Sequence, residues 1–496
     1  MYTYHLSIDT ADDGTYALDC STRIRSLEWR LGCQSAGESV AEAGAAEIHL
    51  DNAGGAFSPE RDPDLRAGMW LRLQADDGIT LHTLFTGVIA RILPLPGANG
   101  SRLASIIAYT PDAPLESLTV HLPQLINTRA DQLLRELFER VPLRRPALAT
   151  LWVLGDGAFS QLGAAHLASS LPASALFDVG ISSFAFTAFH AGASAREIAT
   201  SIVAAERGRL MADRQGRLVF YNRHAALRTI APSASYDDDM AGMDYRHQAA
   251  ANHVRVTITP REIGAPGTPL WTNTTALCIP PGIRSIVARY RLANGDYINV
   301  LALQGLTFLA NADADGSGAA VTLQAVIAPQ GADAAVIEFR NSSPRPAYVL
   351  PGAVLYGTPL IAAAPASVEA VDQVSIAHYG FMGRDLDLPL IDSLDEAAQI
   401  ADFELRNRGS AGESIRWLEL DLSAHPAAVG LAPMTQISIH ESQTGHDRNY
   451  WIVGEAHRVN LAGTRHIMRM YLAPASPQHF WELGIAALDH AAALAY

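Results

Sequence analysis

The stretch AEIHLDNAGGAFSPERDPDLRAGMWLRLQADDG, residues 46–78, fixes the character of this chain. Ile48 and Leu50 alternate with Glu47, His49 and Asp51, and Leu71 and Leu73 alternate with Arg72 and Gln74. Between them lies a long turn of Gly, Ser, Pro and Asp, with Phe57 as the only large apolar anchor between Asn52 and Pro63. Apolar residues at period two, bounded by turn residues, are the pattern of half-buried antiparallel strands.

The same pattern extends to both sides. SLEWRLG (Ser26–Gly32) alternates in the same way, and LFTGVIARILPLP (Leu84–Pro96) reads as a buried strand running out to an edge. The first helix expected is TRADQLLRELFERV, with Thr128 as its cap and Leu133, Leu134, Leu137, Phe138 and Val141 on one face. A second, SAREIATSIVAAERGR, opens on Ser194 with Glu197 three residues on, the reciprocal capping arrangement. It runs into two short strands joined by a turn at Arg214–Arg217, so helix and hairpin make an α+β unit. From Val254 to Ala364 short strands return, and a β-sandwich is expected. Ala, Pro and Ser near Ala362 suggest a linker. An amphipathic helix follows, capped at Ser393 and stopped at Gly409, then strands around Trp417–Leu422, Thr435–Ser442 and Tyr450–Tyr471. The Ala-rich end, Pro477–Tyr496, is expected to be helical.

Composition bounds the function. A chain of 496 residues has room for several domains, and 49% hydrophobic against 18% charged residues suits packed cores rather than disorder. The net charge is −15, which disfavours a diffuse electrostatic grip on nucleic acid or an anionic membrane. All 36 basic residues are arginine, so a Walker lysine, a Schiff-base lysine and a lysine general base are excluded; codon bias accounts most simply for the all-arginine set. Cys20, Cys33 and Cys278 form no CxxC pair, which points to packing rather than zinc or disulfides. The first twenty residues lack a basic start and an apolar core, so no signal peptide is expected, and no apolar run is long enough for a membrane span.

The sequence nominates no catalytic, cofactor-binding or metal residues, and no cofactor. The histidine cluster His440, His446, His457 and His466 lies across strands without ligand spacing, and surface or edge-strand positions are expected for it. Asp237, Asp238 and Asp239 read as a solvated turn. Asn311, Asp313, Asp315 and Gly316 resemble the start of a calcium loop, but Thr322 stands where such a loop carries its bidentate glutamate, and a hairpin loop is the expectation. Trp29, Trp70 and Trp417 are anchors of a core or of an interface.

Three segments in series carry a resemblance. Residues 46–78 with the following LFTGVIARI resemble the N-terminal domain of phage tail hub proteins, also called baseplate hub or minor tail proteins. ADQLLRELFERV and SAREIATSIVAAERGRLMADRQGRLVFYNRH resemble the middle of the same proteins. VSIAHYGFMGRDLDLPLIDSLDEAAQIADFELRNR and YWIVGEAHRVNLAGTRHIMRMYLAP resemble their C-terminal domain. The stretch 140–190 and the residues after Pro474 have no counterpart.

The resemblance implies a mainly β, multidomain chain with some α+β structure. Its parts are an N-terminal tail-tube-like β-barrel domain (1–115), an α+β middle domain (116–250), a β-sandwich (251–365), a C-terminal tube-like β domain with one helix (366–475) and a tail (476–496). It implies a non-enzymatic homo-oligomer, a trimer, forming a ring at the distal end of the tail tube and letting DNA pass. Its partners would be the tail tube protein, distal tail or baseplate proteins, a spike or fibre and the tape measure protein, without sequence-specific nucleic-acid binding and without a membrane span. The location implied is the virion, at the distal end of the tail, after synthesis in the host cytoplasm. An acidic lumen repelling DNA would suit the net charge, as would ordinary solubility. A second reading is a carbohydrate- or receptor-binding tail-tip protein, which needs Trp271, Tyr290 and Tyr297 exposed in a shallow groove. A third is a tail-associated cell-wall hydrolase, for which no paired carboxylates stand at recognisable spacing.

Overall fold

The computed structural model describes residues 2–61, 65–96, 102–141, 143, 153–154, 175–187, 189, 192–227, 230–248, 251–329, 331–408, 412–460, 465–475, 480–481 and 493–494. Alternation at residues 46–78 becomes strands Ala45–Asp51 and Trp70–Asp76, with Ile48, Leu50, Leu71 and Leu73 buried on one face. Phe57 is buried and pins the turn between them, its N–H donating to Asn52 Oδ1 at 2.8 Å.

These strands belong to a sheet of thirteen that draws on both ends of the chain. One half comprises Thr3–Asp9, Leu18–Asp19, Ile24–Gly32, Ala45–Asp51, Trp70–Asp76, Leu81–Pro96 and Arg102–Tyr109. The other comprises Ser235–Asp237, Gly242–Gln248, Gly412–Asp421, Gln436–Glu441, His446–Asn460 and Arg465–Pro474. The halves meet where Ile24–Gly32 pairs antiparallel with His446–Asn460, from Ser26 opposite Asn460 to Gly32 opposite Gly454. One apolar core runs under both, from Leu6, Ile48 and Phe85 to Leu418, Ile452 and Met470. Each such fully buried side chain contributes roughly 1.5–3 kcal/mol. The class is mainly β and multidomain, and among the described residues the sheet path ends on Leu18–Asp19 and Gly242–Gln248 without closing into a barrel.

The α+β unit packs helices Ala130–Arg140 and Ala195–Glu206 against each other and against strands Ala175–Phe177, Arg209–Ala212 and Leu218–Tyr221. Ser194 caps the second helix as its sequence indicates, accepting from the Glu197 N–H at 3.2 Å while Glu197 Oε2 accepts from the Ser194 N–H at 2.7 Å. The first helix departs from expectation. Thr128 is held in strand Ile126–Arg129 opposite Phe184, so the cap falls to Arg129, whose N–H donates to Gln132 Oε1 at 3.1 Å.

Three small sheets enclose the sandwich core of Leu270, Ile279, Ile337, Phe339, Val349 and Leu355. His253–Ile258 lies outside it, between Ala366–Val371 and Gly383–Asp387. The expected linker near Ala362 is therefore largely a strand: Val368 and Ala370 alternate inward against Val254 and Val256, which overrides the loop-like composition. Helix Leu394–Arg408 is capped by Ser393 Oγ, which accepts from the Glu396 N–H at 3.3 Å; its expected stop, Gly409, lies outside the described residues. Much of the 140–190 stretch and of the expected C-terminal helix also lies outside them; Phe480–Trp481 and Ala493–Leu494 pair as short parallel strands rather than helix.

Candidate functional site

The two halves of the sheet and the α+β unit converge on the strand Ile24–Gly32 and the loop after it. Gly32 has φ +74°, and a Cβ there would stand 2.6 Å from Val453 O; a Cβ on Gly454 would stand 2.1 Å from Cys33 O. The backbones approach too closely for any side chain, which is why glycine faces glycine at the end of this pairing.

Arginines fasten the α+β unit to this joint. Arg196 donates to Ala41 O (2.9 Å) and Val40 O (3.1 Å), and Arg209 to Glu38 O (2.8 Å) and Ala36 O (2.9 Å). The hairpin turn carries Arg214 into the sheet, where its guanidinium donates to both oxygens of Glu455 (2.8 and 2.5 Å) and to Val429 O and Leu431 O (2.6 Å each). Glu455 is fully buried. Burial alone raises a carboxyl pKa, but Arg214 and His457 outweigh it and hold Glu455 well below the usual carboxylate range.

An ionised Glu455 only accepts, which orders the groups beyond it. His457 Nε2 lies 3.5 Å from the carboxylate, and the tautomer with its proton on that nitrogen leaves His457 Nδ1 to accept from His466 Nε2 at 2.9 Å. His466 Nδ1 then accepts from the Tyr4 hydroxyl at 2.7 Å. Burial lowers the basicity of both imidazoles, His466 down to about 2, and keeps them neutral, as this chain requires. Trp29 stacks on His457 with ring centres 4.3 Å apart. His446 is also buried, against the Tyr450 hydroxyl at 2.9 Å. Surface or edge positions thus hold only for His440, which pairs with Asp447 at 2.7 Å; the others sit inward because their strands place every second residue in the core. Among the described residues no group of His, Cys, Asp and Glu is arranged to hold a metal ion.

A second buried network ties the α+β unit to helix Leu394–Arg408. Glu206 accepts from the N–H groups of Ile181 (2.9 Å) and Ser182 (2.8 Å), Arg223 donates to Ser182 Oγ (3.1 Å), and Ser182 Oγ donates to Glu396 (2.9 Å). Burial pushes Glu206 up to about 7 despite Arg223. His457 and Trp29 also line an opening of about 470 Å³ with Glu28, Arg458 and Arg469, while the hydrogen bonds of both networks run between elements of the fold and fasten them together.

The outer face of the sheet carries a cross-strand ladder of opposite charges. Arg469 donates to Glu419 (2.6 Å), Arg465 to Asp421 (3.1 Å), Arg458 to Glu28 (2.9 Å), and Arg25 pairs with Asp51. These carboxylates are compensated in place, so the ladder presents mixed charge rather than an acidic wall. Trp29 and Trp70 fill the interior, whereas Trp417 is half-buried on the outer face beneath the Arg469 guanidinium, 4.3 Å from its ring centre.

Unpaired backbone and apolar surface lie elsewhere. Among the described residues Gly242–Gln248 pairs on one side only, with Gly412–Asp421, and Thr3–Asp9 meets Leu18–Asp19 only at Ser7 and Ile8. Val374, Tyr379, Phe381 and Met382 stand exposed together around helix Gln373–Tyr379. Open edges and exposed apolar residues are where further chains pair or pack. The remaining sequence candidates are spent internally. Asn311 donates to Gly316 O (3.1 Å) and Gly318 O (2.9 Å), and Asp315 accepts from Ser317, so this loop is a self-bonded hairpin. Asp238 accepts from the Ser442 N–H at 2.8 Å. Of the aromatics considered for sugar binding, Tyr290 is buried in the sandwich and Trp271 and Tyr297 are accessible.

No protein-family profile matches the sequence, and no curated protein matches it. Among solved structures, the 43 kDa tail protein of prophage MuSo2 from Shewanella oneidensis superposes with a TM-score of 0.50 at 11% identity, over 96% of this chain and 99% of that one. The chain has the fold of a phage tail protein. A tail protein from Neisseria meningitidis MC58 gives a TM-score of 0.49 at 10% identity, over 95% of this chain and 96% of that one. An Escherichia coli component of the type VI secretion system gives 0.38 at 10% identity, over 92% of this chain and 74% of that one. Among the described residues no helix is long and apolar enough to cross a membrane.

Proposed function

We propose that this chain is a structural hub protein of a phage or phage-like tail, non-enzymatic, forming a homotrimeric ring at the distal end of the tail tube. The ring joins the tube to the tip, spike or fibres and lets DNA pass. The carrying observation is the end-to-end correspondence in fold with a phage tail protein, over 96% of this chain and 99% of the other. The joint supports the reading in physical terms. A ring element under load needs its first and last segments locked into one body, and the shared sheet, the glycine contact and the Arg214–Glu455 pair do that. Its open sheet edges and the apolar group around Phe381 are surfaces for neighbouring subunits and for tube, baseplate and tape measure proteins.

In this reading residues 1–115 and 366–475 are the two tube-like parts, 116–250 the clamp between them, 251–365 a peripheral sandwich and 476–496 a tail. The location follows: the distal tail of the virion. The test is assembly with purified tail tubes followed by electron microscopy. Density of this chain at one tube end supports the proposal, and decoration along the tube or no binding refutes it.

A further inference from the structure

The peripheral sandwich carries an open cleft of about 1120 Å³, separate from the joint. Strand alternation builds one wall: Ala288 and Tyr290 point into the sandwich core while Val287, Arg289 and Arg291 point into the cleft. Trp271, half-buried on strand Thr268–Thr272, forms another wall, and Thr272, Asn294 and His121 line the remainder. Among the described residues no aspartate or glutamate lines it, although the chain as a whole is acidic. Two carboxylates that bond to lining residues are engaged: Asp333 with His121 Nδ1 at 3.0 Å, and Asp296 with Asn294 Nδ2 at 2.7 Å. Arg289 is exposed with no carboxylate within ion-pair distance among the described residues, whereas Arg291 lies over the Tyr297 ring at 4.2 Å.

We propose that this cleft binds an acidic saccharide, a sugar chain bearing carboxylate or phosphate groups. The guanidinium groups of Arg289 and Arg291 take the anionic substituent through charge-assisted hydrogen bonds. Trp271 offers an apolar face to a sugar ring, and Thr272 and Asn294 offer hydroxyl and amide groups to its hydroxyls. The volume exceeds the roughly 300–1000 Å³ typical of small-molecule pockets, which suits several linked rings. Two arginines on a chain of net charge −15 are too few for a nucleic-acid polyanion, which needs a continuous basic track.

The test is calorimetric titration of the full chain with a tetrasaccharide of a hexuronic acid, a hexose phosphate and the neutral tetrasaccharide of the parent hexose. At least one anionic sugar is expected to bind at least about tenfold more tightly than the neutral one, and the stronger of the two tells carboxylate from phosphate as the natural group. R289A and W271A, both at accessible positions, should each weaken it by about tenfold or more, with unchanged circular dichroism and unchanged assembly mass. Equal binding of charged and neutral sugars, no heat from either anionic sugar, or an R289A chain that binds normally would overturn the proposal. Retained assembly in R289A separates this result from the hub reading.

Discussion

Replacing Arg214 by methionine tests the joint most sharply. The side chain is buried and makes four hydrogen bonds, two to a Glu455 with no solvent access and two to the carbonyls of Val429 and Leu431. Its removal leaves a buried carboxylate with only His457, 3.5 Å away, to answer it. Breaking a buried pair from one side costs about 3–5 kcal/mol, whereas neutralising both partners costs far less, because no uncompensated charge remains. R214M alone should therefore destabilise by about 3–5 kcal/mol, and E455Q should recover at least about 2 kcal/mol of that in the double variant. Urea unfolding followed by tryptophan fluorescence reads this directly: the Trp451 indole donates to Ala226 O at 3.1 Å and so sits on the same joint. A loss under about 1 kcal/mol for R214M, or additive effects of the two substitutions, would refute the argument that Arg214 and Glu455 act as a unit.

Other outcomes follow from the same structure. G454A should fail to reach the native fold or lose several kcal/mol, because the new methyl group meets Cys33 O; a native-like melting temperature would contradict the close approach. His466 has its folded pKa lowered, so the unfolded chain binds a proton below about 6.5 that the folded chain refuses; its contribution is complete above that pH and is lost as pH falls. Between pH 7 and pH 5 the native chain should accordingly lose about 2 kcal/mol more than H466Q, measured by urea titration at both values, and equal losses would sink the assignment of a neutral His466. S194A should cost about 1 kcal/mol through loss of the helix cap, and a change below about 0.3 kcal/mol would show that the capping pair is dispensable.

What the sequence disclosed was local. Alternation around Ile48 and Leu71 identified strands, the Ser194–Glu197 spacing identified a cap, and Arg214–Arg217 identified a turn, because each signal is written within a few residues. The joint was not legible. Ser26 pairs with Asn460 across more than four hundred residues, and nothing in either strand names its partner. Arg214 reads from the sequence as a turn residue, and only the tertiary fold puts Glu455 in front of it. Alternation in the two strands that carry His457 and His466 shows that both lie on one face, but not that the face is interior. Strand Ala366–Val371 is hidden by its Ala and Ser content and by Pro365 just before it, and the inward positions of Val368 and Ala370 are the available signal. The cleft of the sandwich had a partial signal in Trp271, while the register that brings Arg289 and Arg291 beside it appears only in space.

The central claim is that this chain assembles as a subunit of a tail ring, and the mass in solution tests it most directly. Light scattering across a concentration range, with and without purified tail tubes, should show a discrete species of three times the 53.1 kDa chain mass, alone or on the tubes. A chain that stays monomeric at every concentration and ignores the tubes would contradict the account.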